Sequence, residues 1–354
     1  MKKLVIVTLG SNGGVDRQIA DFANILRRAD YECELYDLFA PQQCKNRVVR
    51  RTLNFLRQRK GGRFLALCVA DMCLYFRSEK GTAVLCLLYP LIGPFNLINC
   101  LYRRYDYYYY MPDMIWRKKY VKDLFWTIFS LAAGVGFRTA HKILVPTASA
   151  HLDAVTFLDR GHHTKIERLS GIFDGEYWRN LVPEPVVRMI GRRYIFHPAG
   201  LKPSKNPLNS MRAFLELPAD SDVAFVLLAP EVALKRFCKN AGLNSDKIVA
   251  LGGVTEGQMK WLYQNAALVS VPSIEEGIGL PVLEAIHFEK KTVVSICSAL
   301  PETARLEGIY VDPFDYRSIA QAYFSVFYDT REARVCISSM SVDTLLSDFA
   351  RILR

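Results

Sequence analysis

Short apolar runs alternate with helix-forming segments along the second half of the chain, and this alternation constrains the fold more than any other feature. Runs rich in Val, Ile, Leu and Phe that are bounded by turn residues are typical of buried strands. The predicted strands are Tyr194–His197, Ala224–Leu228, Lys247–Leu251, Leu268–Val271 and Thr292–Ile296. The predicted helices between them are Pro207–Leu215, Thr255–Gln264 and Leu280–Phe288. Strands that alternate with helices indicate a parallel, doubly wound α/β sheet.

The first half of the chain begins with the same kind of unit. Leu4–Leu9 is a predicted strand, and its apolar run is too short for a secretory signal peptide. Asp16–Arg28 has the apolar spacing of one helical face, and Glu32–Leu38 is a second predicted strand. Two prolines and a change in charge follow Asn180, so we expect two α/β domains, 1–185 and 190–338.

The positive charge of the chain is concentrated in its first half. The net charge is +11, and residues 1–180 hold 27 basic and 16 acidic side chains, which accounts for all of it. Cys44–Arg63 contains eight basic residues, no acidic residue and interleaved apolar residues. This composition is typical of a surface that contacts an anionic membrane, and a solvated basic face remains the alternative. Hydrophobic residues make up 51% of the chain, which excludes a disordered protein.

Two further segments of the first half are strongly apolar. Residues 81–102 carry no charge and are long enough to span a bilayer, but Pro90 and Pro94 would break a spanning helix. We therefore expect a buried strand, turn and helix there, with shallow interfacial insertion as the second interpretation. Tyr107–Tyr110 predicts a strand with aromatic core contacts, and Asp113 lies in the loop that follows it.

The segment Pro272–Ala285, PSIEEGIGLPVLEA, carries the most chemical information. Gly277 and Gly279 permit a tight backbone and the close approach of a ligand. The helix that starts after them presents free backbone N–H groups that can hold an anion. Glu276 precedes that helix and Glu284 lies within it. A carboxylate beside a phosphate-binding turn is suited to accept hydrogen bonds from sugar or ribose hydroxyls.

This segment resembles the signature of the large retaining family of GT-B glycosyltransferases, in which a second Glu follows the first after seven residues. Four further segments resemble the family in the same order: GSNGGVDRQIADFANIL, FHPAGLKPSKNP, KIVALGGVTEGQMKWLYQNAALVSVPS and SALPETARLEGIYVDPFD. The resemblance implies a GT-B fold, with two doubly wound Rossmann-like domains facing across a cleft. The N-terminal domain would bind the acceptor, the C-terminal domain would bind the nucleotide sugar, and the helix 341–354 would pack back on the first domain.

The resemblance also implies roles for individual residues. Glu276 would bind donor-sugar hydroxyls, Glu284 would hold the ribose, and Lys205 would neutralise the leaving diphosphate. Asp113 matches the family's acceptor-side position. Lys202 is the nearby replacement for a family Arg whose position is taken by Gly200. The remaining implied donor-binding residues would line the sugar, the diphosphate or the base: Gly13, Gly14, Val254, Gly277, Ile278, Gly279 and Leu280.

The implied reaction is a retaining transfer from a UDP- or GDP-linked sugar to a hydroxyl of a lipid-linked or polysaccharide acceptor, in surface polysaccharide or lipopolysaccharide biosynthesis. The resemblance implies no tightly bound cofactor and no obligatory metal, because GT-B enzymes generally stabilise the diphosphate with helix dipoles and Lys or Arg side chains. The expected location is cytoplasmic and peripheral at the inner membrane face through Lys45–Arg63, with no nucleic-acid partner. Three alternatives remain open: a catalytically weak GT-B scaffold, a basic nucleic-acid or anionic-surface binder, and an epimerase or hydrolase on the same fold.

Overall fold

The computed structural model describes residues 4–8, 14–37, 82–87, 105–111, 134, 136–158, 160–170, 172–328, 347 and 351. The chain divides into two compact units, which are residues 1–174 with 340–354, and residues 175–339. Each unit contains a parallel sheet with helices, so the α/β architecture predicted from the sequence is confirmed.

The first unit contains a six-stranded parallel sheet with the strand order β2-β1-β3-β4-β5-β6. Its strands are Leu4–Thr8 (β1), Cys33–Asp37 (β2), Thr82–Leu87 (β3), Tyr105–Tyr110 (β4), Lys142–Val145 (β5) and Ile166–Arg168 (β6). Two of its helices are Gly14–Arg28 (α1) and Ala148–Phe157 (α2). The predicted strand–helix–strand unit at the start of the chain is therefore confirmed. The aromatic strand is also confirmed as core, because the Tyr109 ring is fully buried and lies 4.9 Å from the Phe137 ring.

The second unit contains a six-stranded parallel sheet with the order β12-β11-β10-β7-β8-β9. Its strands are Arg193–His197 (β7), Val223–Leu227 (β8), Ile248–Ala250 (β9), Leu268–Val271 (β10), Thr292–Ser295 (β11) and Gly308–Val311 (β12). Its helices are Gly175–Asn180 (α3), Pro207–Leu215 (α4), Glu231–Ala241 (α5), Glu256–Asn265 (α6), Leu280–His287 (α7), Leu300–Ala304 (α8) and Tyr316–Tyr328 (α9).

All five strands and three helices predicted for this half are present, and no end is shifted by more than one residue. Two of the elements that the pattern missed carry weak hydrophobic signals. Helix α5 buries only Leu234 and Cys238, and strand β12 lies at the sheet edge with most of its residues partly exposed. A helix with one buried face, or a strand at the edge of a sheet, needs few apolar residues, so its sequence resembles that of a loop.

The second unit begins about ten residues before the boundary expected at 185–190, because α3 packs onto it. The Trp178 indole is fully buried, 6.1 Å from the Tyr263 ring and 5.3 Å from the Phe288 ring. The Lys260 ammonium donates hydrogen bonds to the carbonyls of Trp178 and Leu181 at 2.8 and 2.7 Å. These contacts fasten the end of α3 to α6.

Several predicted features fall mainly on residues outside those described. Gly13, Asp113 and Cys44–Arg63 are not among them, and neither is most of 81–102 or 341–354. Within 81–102, strand β3 is buried, as expected for its start. Within 341–354, the Arg351 guanidinium lies 3.0 Å from the Glu167 carboxylate of the first unit. In the described ranges, no helix combines the length and hydropathy that a membrane crossing requires.

Candidate functional site

The order of strands in the second unit creates a crevice between β7 and β10. From β7 the chain winds to β8 and β9 on one side, then crosses back so that β10 pairs with the other side of β7. Ligands of doubly wound sheets bind at such a switch point, outside the carboxyl ends of the strands. The loops that follow β7 and β10 contain Lys205 and Glu276, so the topology brings both predicted residues to one edge.

The loop after β7 is fixed to the loop after β10 by Asn206. A single 3₁₀ turn, Pro203–Lys205, ends at Asn206, whose backbone is left-handed with φ 58° and ψ 43°. Its buried amide group donates hydrogen bonds to the carbonyls of Pro272 at 3.1 Å and Pro313 at 2.6 Å. Asn tolerates the left-handed backbone region better than most residues do. Asn206 therefore stabilises the crossing of the loops after β7, β10 and β12 through both its backbone conformation and its side chain.

Lys205 and Glu276 form an ion pair at the centre of this crossing. The Lys205 Nζ atom lies 2.6 Å from Glu276 Oε1, and the exposed fractions of the two side chains are 25% and 8%. The Ser273 hydroxyl donates a hydrogen bond of 3.0 Å to the same carboxylate oxygen. The structure therefore brings two of the predicted catalytic residues into direct contact.

The backbone of Glu276 is held from the opposite side by Ser298. The Glu276 N–H donates to Ser298 Oγ at 3.2 Å, and the Ser298 hydroxyl donates to the Glu276 carbonyl at 2.6 Å. Ser298 itself has a left-handed backbone with φ 59°. This double contact fixes the orientation from which the Glu276 side chain leaves the loop.

The second signature carboxylate, Glu284, lies in helix α7 and is nearly buried. The Tyr263 hydroxyl of helix α6 donates a hydrogen bond of 2.6 Å to Glu284 Oε2. The Tyr263 ring is fixed between Phe288, stacked at 5.8 Å, and Phe196, edge-on at 5.1 Å. Tyr263 could not be recognised from the sequence, because 21 residues separate it from Glu284 and no local pattern distinguishes it from a core aromatic.

Helix α7 starts at a glycine that no other residue can replace without strain. Gly279 precedes the helix with φ +87°, and a Cβ atom built there would lie 2.6 Å from Leu300 Cδ2. Gly277 and Ile278 are buried beside it, and Leu280 is the first helical residue. The positive end of the helix dipole therefore lies at the glycine loop, where an anion would be stabilised.

The position where the resembled family has Arg is closed to side chains in this chain. A Cβ atom on Gly200 would lie 2.9 Å from the carbonyl oxygen of Leu228, whose N–H donates to the Ala199 carbonyl at 3.0 Å. Backbone pairing therefore explains the glycine. Lys202, the expected substitute, is exposed and begins the 3₁₀ turn that ends at Lys205.

Other predicted site residues lie where the elements begin. Val254 is half-buried and follows Gly253, whose φ is +69°. Thr255 caps helix α6 by accepting a hydrogen bond of 3.1 Å from the Gln258 N–H. Gly14 is the first residue of α1 in the first unit.

His197, at the end of β7, is a buried neutral imidazole. Its Nδ1 lies 3.0 Å from the Ser270 carbonyl, which assigns the proton to Nδ1 and leaves a lone pair on Nε2. Nε2 contacts no hydrogen-bonding partner within the described part of the chain. Burial lowers the pKa of His197 to about 4, with a smaller contribution from the Lys205 charge.

The described residues contain no group of three His, Cys, Asp or Glu side chains that could hold a metal ion. Lys205 and the N-terminus of α7 supply positive charge at the crossing, and Lys202 precedes the turn that contains Lys205. A carboxylate, an ammonium and a helix N-terminus at one sheet edge can together bind a ligand that carries both hydroxyls and phosphates.

Residues 188–339 match the family described as "Glycosyl transferases group 1". The serotype-specific mannosyltransferase WbdA of Escherichia coli is 29% identical over 133 residues, which are 36% of this chain and 16% of WbdA. The O-antigen chain mannosyltransferase RfbU of Salmonella typhimurium is 34% identical over 73 residues, 21% of each chain. The matched part of this chain therefore spans only 16% of the length of WbdA and 21% of the length of RfbU.

Solved structures resemble nearly the whole chain, and two of them illustrate the likeness. HepE of Anabaena, in complex with UDP and glucose, has a TM-score of 0.65 and 14% identity over 99% of this chain and 96% of HepE. A trehalose-phosphate synthase from Burkholderia xenovorans has a TM-score of 0.70 and 13% identity, and the match covers 99% of this chain and 100% of the synthase. At these identities the likeness concerns the fold, which is GT-B.

Proposed function

We propose that the protein, whose residues 188–339 match the group 1 glycosyltransferase family, is a retaining glycosyltransferase that uses a nucleotide-diphosphate sugar. The observation that carries this proposal is the cluster at the switch point of the second sheet. It combines Lys205 and Glu276, 2.6 Å apart, with Glu284 held at 2.6 Å by Tyr263 and the N-terminus of α7 at Gly279.

Each part of the cluster suits one part of the donor. The Glu276 carboxylate accepts hydrogen bonds from hydroxyls of the transferred sugar, and Glu284 accepts them from the ribose. Lys205 and the amides at the start of α7 stabilise the diphosphate, whose charge grows as the sugar leaves. Lys202 adds charge at the rim, and Val254 lies against the base. With these charges in place we propose no obligatory metal and no tightly bound cofactor.

We infer the chemistry from the positive charge that Lys205 and the start of α7 place beside the negatively charged leaving diphosphate. The bond between the anomeric carbon and the diphosphate oxygen breaks, and the acceptor oxygen forms the new bond on the same face of the sugar. The acceptor proton passes to an oxygen of the departing diphosphate, so atoms and charge balance without a covalent enzyme intermediate. The protein contributes positioning and electrostatic stabilisation.

The named relatives support a role in surface polysaccharide or lipopolysaccharide biosynthesis. WbdA and RfbU are mannosyltransferases, and RfbU acts on an O-antigen chain. We propose a GDP- or UDP-linked hexose as donor and a lipid-linked or polysaccharide hydroxyl as acceptor. The eight basic residues of Cys44–Arg63 support attachment to the inner membrane face, with Asp113 on the acceptor side.

The test is a transfer assay with UDP- and GDP-linked hexoses and a lipid-linked glycan acceptor, followed by proton NMR of the new anomeric centre. Lys205→Met should lower kcat by about 10²–10³-fold, since it removes charge stabilisation of the leaving group. Lys235→Met is the matched control, because Lys235 is an exposed α5 lysine paired only with Glu231 among the described residues. An inverted product would exclude the retaining mechanism, and donor binding without turnover would favour a scaffold protein.

A further inference from the structure

The two charged residues of the proposed donor site form an ion pair with each other in the structure. The Lys205 ammonium lies 2.6 Å from Glu276 Oε1, and that oxygen also accepts the Ser273 hydroxyl at 3.0 Å. Glu276 is the more buried partner, with 8% of its side chain exposed against 25% for Lys205. An oxygen with two donors has little capacity left for a third, so this arrangement blocks part of the acceptor that a sugar hydroxyl would use.

The pair is held by the fold on both sides. Ser204, next to Lys205, accepts a hydrogen bond of 2.8 Å from the Ile274 N–H, so the two loops are joined backbone to backbone. Ser298 fixes the Glu276 backbone through two hydrogen bonds. Because both backbones are restrained, the long and more exposed Lys205 side chain is the part that is free to change partner.

We propose, on the basis of the proposed function, that the Lys205–Glu276 ion pair is a displaceable contact that couples diphosphate binding to sugar binding. The diphosphate draws the Lys205 ammonium away from Glu276, and the released carboxylate then accepts the sugar hydroxyls. A nucleoside diphosphate without its sugar satisfies Lys205 but leaves the nearly buried Glu276 charge without its counter-ion. A free sugar leaves Lys205 unpaired. Only the intact nucleotide sugar replaces both partners.

This coupling makes the opposite prediction from a simple binding role for Glu276. Removing the charge with Glu276→Gln leaves Lys205 already free, so GDP or UDP alone should bind more tightly than to the wild type. We expect a gain of about tenfold in affinity, which corresponds to about 1.4 kcal/mol. The advantage of the nucleotide sugar over the nucleoside diphosphate should shrink in the same variant, because the sugar has lost its charged acceptor.

Isothermal titration calorimetry with GDP, UDP and their hexose conjugates tests the proposal on the full chain. Glu216→Gln is the control, since it removes the same charge from an exposed position at the end of α4, away from the pair; its affinities should stay within about twofold of wild type. Equal or weaker binding of the preferred diphosphate to Glu276→Gln would overturn the ion-pair exchange and leave the donor site standing. Absence of nucleotide binding to every variant would overturn both.

A second substitution guards against a folding defect in Glu276→Gln. Glu276→Asp keeps the charge but shortens the side chain by one methylene, which separates the carboxylate from Lys205. It should tighten diphosphate binding to an intermediate degree while its thermal unfolding stays close to wild type. A diphosphate affinity no higher than that of the wild type in a folded Glu276→Asp protein would count against the exchange.

Discussion

Gly279→Ala should destabilise the second unit far more than an ordinary glycine substitution. The residue has φ +87°, a conformation that costs a non-glycine residue about 1–2 kcal/mol. The new Cβ would also lie 2.6 Å from Leu300 Cδ2 in a packed interior, and such overpacking typically costs about 1–3 kcal/mol. The expected total loss of unfolding free energy is therefore about 2–5 kcal/mol.

Gly242→Ala separates the two contributions. Gly242 ends α5 with φ +65°, but a Cβ there meets nothing within 4 Å, so only the backbone strain of about 1–2 kcal/mol applies. Denaturant unfolding of the two variants and the wild type, compared by midpoints at unchanged slope, gives both losses. Equal losses in the two variants would refute the steric role of Leu300. Gly279→Ala should also weaken nucleotide binding, whereas Gly242→Ala should not.

Three other substitutions test separate contacts. Tyr263→Phe keeps the ring and removes the 2.6 Å hydrogen bond to Glu284, so the free energy of unfolding should fall by about 1.5–3 kcal/mol. An unchanged midpoint in denaturant unfolding would argue against a stabilising role for that bond. Lys260→Met leaves three carbonyls at the end of α3 without their donor, and limited proteolysis should cut near residues 175–182 faster than in wild type; equal rates would contradict the fastening role. His197 titrates near 6.5 when unfolded and has a pKa of about 4 when folded, so the unfolded state binds the proton first as pH falls. Between pH 7 and pH 5 wild type should lose about 2 kcal/mol more than His197→Phe, and parallel pH profiles would contradict the assignment.

The sequence determines the local parts of this architecture. The apolar runs at Tyr194–His197 and Leu268–Val271 are short, bounded and almost entirely buried in the structure, so their strands could be placed within a residue. The spacing of Glu276 and Glu284 around two glycines likewise indicated a strand, a loop and a helix that begins at Leu280. Local pattern and tertiary environment agree at these positions.

Contacts between distant segments could not be predicted in the same way. The ion pair of Lys205 with Glu276 depends on β10 pairing with β7, which no local window shows. The hydrogen bond between Tyr263 and Glu284 joins two helices whose own patterns predict only an apolar face. At Gly200 the sequence shows only that a glycine stands where the resembled family has Arg. The reason for the glycine is the nearby Leu228 carbonyl oxygen, which the sequence does not place beside residue 200.

The domain boundary was displaced for a related reason. The prolines and charge change after Asn180 are genuine features of an exposed segment, and residues 182–185 are largely exposed. Helix α3 precedes that segment but belongs to the second unit through Trp178 and the three carbonyls bound by Lys260. Composition marks where a chain is exposed, whereas the boundary depends on which core the preceding helix contacts.

Thermal unfolding of wild type and Glu284→Ala in the presence of UDP, GDP, ADP and CMP tests the central claim most directly. A ligand at one hundred times its dissociation constant adds about 2.7 kcal/mol of apparent stability. If the switch point of the second sheet is the donor site, one nucleoside diphosphate should stabilise the wild type by this amount and should not stabilise Glu284→Ala. Equal stabilisation of both proteins, or of neither by any nucleotide, would contradict a donor site built on Glu284.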